Sequence, residues 1–409
     1  MKKPELLAPA GNLEKLKFAI HYGADAVYLA GKAYGLRAGA GNFSLEEMEE
    51  GVRFAHERGK KAYVTLNIIP HNGDLRGLDQ YIKNIDRMGV DAVIVADPGV
   101  ITLVKENAPN LSIALSTQAN NTNWRGAKFW HDIGVKRIIV ARELSLKEIK
   151  EIVEKTPDTL EIEAFIHGAM CISYSGRCLL SNYMANRDAN RGACAHPCRW
   201  KYRLVEEKRP GEYYPIYEDE SGTHIFNSKD LCMIEHIPEL LETGIDSFKI
   251  EGRMKSLYYV ATIISVYRKA IDLYFKDPSS YKTDPKWLEE IVKASHRDYT
   301  TGFYFSRPGA SEQIYDKSTY IRNYDFVGIV LDYDIQTQIA TIEQRNRMIV
   351  GDEIEIISPQ REYFRQKIEK LWDEKGNPID TAPHPQQIIK MKMEQPVSSW
   401  DILRKQIDQ

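Results

Sequence analysis

The chain lacks any long apolar run. None of its 409 residues belong to a stretch approaching the roughly 20 apolar residues that cross a bilayer. The opening segment, residues 1–12, is interrupted by Glu5 and Pro9 before a signal-peptide core can form. These absences predict a cytoplasmic protein with no membrane partner. A dominant charge is also missing: 55 Lys and Arg stand against 58 Asp and Glu, a formal net charge of −3. Nothing global therefore advertises nucleic-acid binding, although a local basic face is still allowed. No Gly-x-Gly-x-x-Gly sits at a strand–helix turn, which weakens a dinucleotide-binding reading. Neither a His-Glu-x-x-His zinc motif nor a Gly-x-Ser-x-Gly elbow occurs; the stretch Ala55-His-Glu-Arg-Gly59 lacks the second histidine. Cysteine is scarce, with five in all, and four of them fall close together. In a reducing compartment, clustered cysteines point to metal or redox chemistry rather than disulfides.

What is present suits an ordinary globular protein: 43% hydrophobic and 28% charged residues, in a chain long enough for one large domain plus a smaller one. Four segments share one layout, beginning at Gly23, Gly89, Gly134 and Gly244: a glycine suited to ending a helix, then a short apolar run. Further strand candidates lie at Glu5–Ala8, Ala62–Asn67, Leu111–Thr117 and Leu160–His167, which makes eight. Capping boxes open two of the amphipathic segments between them, Ser44 with Glu47 and Ser145 with Glu148. Eight strands alternating with helices predict an α/β fold, a TIM-like (β/α)8 barrel, with a doubly wound open sheet as the competitor. We expect the barrel over 1–325, interrupted by a cysteine-rich insertion at about 168–234. The region 326–409 reads as a small C-terminal antiparallel β domain, from short alternating runs at Phe326–Tyr333, Gln338–Gln344, Asp352–Ser358 and Ile389–Glu394.

Cys171, Cys178, Cys194 and Cys198 are spaced x6, x15 and x3. Four thiolates suit either a tetrahedral zinc or a [4Fe–4S] cluster, and spacing does not separate the two. Cys232 is a further candidate ligand, although its place at the start of an apolar helix suits a core cysteine. The same insertion is basic and aromatic: Arg177, Arg187, Arg191, Arg199, Lys201 and Arg203 alternate with Tyr174, Tyr183 and Trp200. Such a surface fits phosphates and unstacked bases, or else a solvated loop.

A long insertion after a barrel strand emerges at the C-terminal face, where barrel enzymes build their sites. Polar residues at the strand ends converge on that face: Asn67, Asp97, Gln118, Arg142 or Glu143, His167, and the trio Lys249, Glu251 and Arg253. Such a ring binds an anionic substrate and moves protons, with His167 and Glu251 as candidate acid–base groups. Arg37, beside Gly39-Ala-Gly41, joins Lys249 and Arg253 as a candidate for anionic groups, with Asn67, Gln118 and Arg177 as further contacts.

The run from Glu163 through His167, Cys171 and Cys178 to Ser181 resembles the peptidase U32 family. So do Leu7-Ala-Pro-Ala-Gly-Asn12, residues 186–194 and Lys249-Ile-Glu-Gly-Arg253. The likeness runs over residues 1 to about 330, and the tail is similar to a C-terminal β domain found in many members. Within the family, the pattern is most similar to proteins that hydroxylate tRNA. That resemblance implies formation of 5-hydroxyuridine at the wobble position, with tRNA as partner and prephenate, a small anionic co-substrate, as hydroxyl source. It also implies a [4Fe–4S] cluster on Cys171, Cys178 and Cys194, with Cys198 as the fourth ligand and Cys232 in competition. Self-association or pairing with a family paralogue is allowed. The family name implies proteolysis as the alternative, with a cysteine nucleophile partnered by His167 or His196. A further alternative is a non-catalytic RNA-binding factor with a structural metal centre.

Overall fold

The computed structural model describes residues 2–32, 34, 42–170, 179–187, 194–195, 197, 229–306 and 320–407, and the backbone alone of short strands between 204 and 228 and at 313–314. Eight parallel strands form the first layer: β1 (Glu5–Pro9), β2 (Ala26–Leu29), β3 (Lys61–Leu66), β4 (Ala92–Val95), β5 (Ser112–Leu115), β6 (Arg137–Ile139), β7 (Glu161–Ala169) and β8 (Ser247–Ile250). Each pairs with the next, and β8 pairs with both β7 and β1, so the sheet closes into a barrel. Closure excludes the doubly wound open sheet.

The described helices are α1 (Leu13–His21), α2 (Leu45–His56), α3 (Leu78–Arg87), α4 (Pro98–Asn107), α5 (Trp124–Asp132), α6 (Leu146–Lys155), α7 (Leu180–Ala185) in the insertion, α8 (Ile237–Glu242), α9 (Leu257–Lys276) and α10 (Pro285–Ile291). Both expected capping boxes are made, at Ser44/Glu47 and Ser145/Glu148. The glycines that end four of these helices have φ of +112°, +75°, +92° and +80° (Gly23, Gly89, Gly134 and Gly244). A side chain is strained in that region, which is why the same residue recurs before β2, β4, β6 and β8. No described helix is long and apolar enough to cross a membrane.

Strand β7 departs from the ideal barrel. Its pairing with β8 shifts register between Lys249 and Ile250, from Phe165 to His167. Beyond this bulge it pairs with an antiparallel strand, Asp230–Cys232, that places Cys232 opposite His167. An extra residue at such a point reverses which face the following side chains occupy.

The C-terminal region is an eight-stranded antiparallel sheet with its own apolar core, including Val330, Ile342, Ile356, Ile389 and Leu403. Its strands at Tyr324–Asp334, Ile339–Gln344, Glu353–Ile357 and Ile388–Lys392 match the expected runs. Those at Phe364–Lys367, Leu371–Asp373, Pro378–Ile379 and Ile402–Gln406 carry too little alternation to be read in advance. The sheet lies along the outer helices. The Tyr22 hydroxyl donates to the carbonyls of Ile357 and Trp400 at 3.2 and 3.0 Å, and fully buried Arg404 reaches Glu290 and Glu355.

Candidate active site at the barrel mouth

Charged side chains fill the barrel interior where apolar layers are usual. Arg137 donates to Glu5 at 2.7 Å, to Glu161 at 2.8 Å and to Glu163 at 2.9 Å; Lys249 donates to the other oxygen of Glu163 at 2.7 Å. Burial alone raises the pKa of Glu163, but Lys249 and Arg137 more than offset it and hold the carboxyl below its ordinary value. Desolvation draws Lys249 below its ordinary value, opposed by Glu163. The ammonium also lies 4.4 Å from the ring centre of Tyr28.

Above this chain lies the mouth. Arg142 lies 3.9 Å from the ring centre of Phe165, donates to the Ala169 carbonyl at 2.6 Å, and approaches Glu251 at 3.6 Å. The Arg142 Nε is buried without a hydrogen-bond partner. Neighbouring Glu143 is raised in pKa, chiefly by desolvation. Arg253 is buried and donates to Thr65 at 3.3 Å. Gln118 is buried on a 3-10 turn after β5, its side-chain oxygen accepting from Ser116. Asp97 is committed elsewhere, capping α4 through the Val100 N–H at 3.1 Å. Two glycines allow the segment carrying Glu251 and Arg253 to come close. A β-carbon on Gly11 would meet the Arg253 carbonyl oxygen at 2.2 Å, and one on Gly168, whose φ is +110°, would meet that of Glu251 at 2.6 Å. The glycine of the 7–12 segment thus packs directly on the 249–253 segment.

Arg142, Glu251 and Arg253 thus stand at the mouth, with Lys249 paired to Glu163 in the ionic chain beneath it and Asn67 and Gln118 just past the ends of β3 and β5; His167 is not among them. Past the bulge, His167 faces α9 and packs against Tyr259, Tyr267 and Tyr299 with ring centres 6.0, 5.6 and 5.5 Å away. The Tyr267 hydroxyl donates to the Ile166 carbonyl at 3.0 Å and lies 3.4 Å from His167 Nδ1. Desolvation, with Lys255 and His296 adding to it, pushes the imidazole down to about 3, so it is neutral at working pH. Cys232 shares this box, 4.0 Å from the Tyr267 hydroxyl; burial pushes its thiol up to about 12. A protonated, buried thiol matches the core-cysteine reading.

Cys194 is partly exposed on a segment tied to α7: buried Ser181 accepts from the Ala195 N–H at 2.8 Å and donates to the Arg187 carbonyl at 2.7 Å. Cys171, Cys178, Cys198, Arg37 and Arg177 lie outside the described residues, as does most of the basic insertion. Among the described residues no group of three or more His, Cys, Asp or Glu is placed to hold a metal ion.

Arg137, Glu163 and Thr65 belong to the site's support and were not assigned from sequence. A signal existed: Glu161, Glu163 and Phe165 alternate along a strand that is otherwise apolar, so two charges point into the barrel.

Comparison with known proteins follows this geometry. The family model for peptidase family U32 matches residues 11–314, and that for the peptidase family U32 C-terminal domain matches residues 322–404. The chain is 50% identical over 404 residues to the tRNA hydroxylation protein P1 of Bacillus subtilis, covering 99% of this chain and 95% of that protein. It is 40% identical over 424 aligned positions to the tRNA hydroxylation protein P of Escherichia coli, covering 94% and 92%. A third relative, the 23S rRNA 5-hydroxycytidine C2501 synthase of E. coli, is 37% identical over 311 residues, covering 75% of this chain and 46% of that one. With both the barrel and the C-terminal sheet matched, this chain belongs to peptidase family U32.

Proposed function

We propose that this chain is a tRNA-modifying enzyme that hydroxylates the wobble uridine to 5-hydroxyuridine, with prephenate as hydroxyl source and tRNA as its partner in the cytoplasm. The observation that carries this reading is the polar barrel mouth, where Arg142 approaches Glu251 and Arg253 is buried against Thr65, in a chain half identical to a protein named for tRNA hydroxylation. Arg253 and Lys249, together with Arg37, hold anionic groups of tRNA or the co-substrate, and Gln118 and Arg177 add polar contacts. Proton transfer falls to Glu251. Neutral, boxed-in His167 instead supports the end of β7.

A [4Fe–4S] cluster on Cys171, Cys178, Cys194 and Cys198 belongs to the proposal. The fit rests on donor chemistry: four thiols fall on the segment leaving β7, whereas Cys232 is buried in the strand paired with β7, opposite His167. Such a cluster, when bound, would supply electron-transfer or Lewis-acid chemistry.

The test is complementation. In a bacterium deleted for its own tRNA hydroxylation proteins, expression of this chain restores 5-hydroxyuridine to digested tRNA, read by mass spectrometry. Soluble, iron-loaded protein with no 5-hydroxyuridine would overturn the proposal. Cleavage of denatured collagen by pure, metal-free protein would favour the peptidase alternative.

A further inference from the structure

The turn that leaves the mouth carries an aromatic ring and a cation that the fold holds in place. Residues 251–256 join β8 to α9 at the C-terminal face of the barrel. The Tyr259 hydroxyl donates to the Glu251 carbonyl at 3.3 Å, and the Lys255 ammonium lies 5.1 Å from the Tyr259 ring centre. Lys255 is therefore fixed beside the segment that bears Glu251 and Arg253. Its ammonium lies 3.7 Å from the ring centre of Tyr320 and donates to the Ser295 carbonyl at a long 3.4 Å; among the described residues it makes no ion pair. Desolvation draws Lys255 below its ordinary pKa, a cost that an incoming anion offsets. Tyr320 is 38% exposed, yet it is not loose. Buried Arg297, paired with Asp230 at 3.8 Å, donates to its hydroxyl at 3.1 Å. The next residue, Ile321, exchanges backbone hydrogen bonds with His296 at 2.8 and 3.2 Å.

We infer that Tyr320 and Lys255 form a strand-holding contact for single-stranded RNA on the rim of the mouth, the ring stacking on a base that flanks the target nucleotide and the ammonium pairing with a backbone phosphate. This inference rests on the proposed function and assigns how the RNA is held. An exposed ring pinned through its hydroxyl offers a flat surface that is ordered before the ligand arrives, so stacking costs little further ordering. The charge fits a polyanion: Asp230 answers Arg297, which leaves the Lys255 cation over for a phosphate. A nucleotide supplies both partners at once, a base with a π-face and the charge that follows it along the chain. Such a contact reads no base identity, because every base has a π-face. It keeps the strand against the rim while one unstacked base enters the mouth, as enzymes acting on base atoms require.

The test titrates full-length protein with an anticodon stem-loop RNA carrying uridine at the wobble position, over a range of salt concentrations. Tyr320→Ala weakens binding by about 5- to 100-fold, the loss of one base stack, whereas Tyr320→Trp, which keeps a stacking face, binds like wild type. An abasic nucleotide beside the target costs the wild-type protein a similar factor and costs Tyr320→Ala little more, because both remove the same contact. Lys255→Met lowers the slope of log affinity against log salt by about 0.7, the share of one phosphate on a single strand. Affinities within about twofold of wild type in Tyr320→Ala and Lys255→Met, with the salt slope unchanged, would refute the contact. A change in self-association of Tyr320→Ala with RNA affinity intact would refute it as well, and make the ring a protein-docking surface. If the variants behave as described while wild-type protein makes no 5-hydroxyuridine in the complemented strain, the RNA contact stands and the hydroxylation reading falls.

Discussion

Replacing Lys249 by Met tests whether the ionic chain through the barrel is a coupled unit. The substitution keeps most of the side-chain volume but removes the cation 2.7 Å from Glu163 and its contact with the Tyr28 ring. Both partners are almost fully buried, so solvent offers Glu163 no replacement. Breaking one side of a buried pair costs about 3–5 kcal/mol. Arg137 remains 2.9 Å from Glu163, which sets the expected loss at the lower end. About 3 kcal/mol corresponds to a fall in Tm of roughly 4 °C for a barrel of about 325 residues. Glu163→Gln alone should also destabilise, while the double variant should lose less than the sum, with a coupling of about 1.5 kcal/mol or more. The assay is thermal or urea unfolding of the four proteins at pH 7. Single losses under about 1 kcal/mol, with a cycle that closes within about 0.5 kcal/mol, would refute the reasoning. The pH dependence adds a sign. The folded pKa of Glu163 lies below its ordinary 4.5, so its stabilisation is complete above that value and lost as pH falls through the lower folded pKa.

Because the folded pKa of His167 is depressed to about 3, protonation below 6.5 favours the unfolded chain, and stability declines by up to about 1.4 kcal/mol per pH unit through that window. His167→Phe, which suits the tyrosine box, should remove that slope and leave the pH profile of hydroxylation between 5 and 8 without a lost inflection; a vanished inflection would return the histidine to acid–base duty. Gly168→Ala forces a β-carbon against the Glu251 carbonyl at a φ of +110°, so a loss of about 2 kcal/mol or more is expected, along with a displaced Glu251 and reduced activity. Wild-type stability and turnover in this variant would show the close approach to be dispensable. Cys198→Ala should abolish bound iron and its visible absorbance in anaerobically purified protein, whereas Cys232→Ala should retain both. The reverse pattern would make Cys232 the fourth ligand, and stoichiometric zinc in colourless wild-type protein would overturn the cluster itself.

The amino-acid sequence by itself determined the eight barrel strands, the glycines that end the preceding helices, both capping boxes and the separate C-terminal sheet. These features are local: an apolar run, a left-handed glycine and a reciprocal cap each act within a few residues. Glu251 and Arg253 were legible for the same reason, because they sit where an apolar strand stops. Tertiary structure alone decided the rest. Glu5, Arg137, Glu163 and Lys249 become one ionic chain only when closure of β8 onto β7 and β1 brings together residues up to 244 positions apart. His167 leaves the mouth only because the bulge in β7 reverses the face that alternation assigns to it. Alternation propagates along a strand as far as its pairing is regular, and the pairing is set by neighbours the local sequence does not contain.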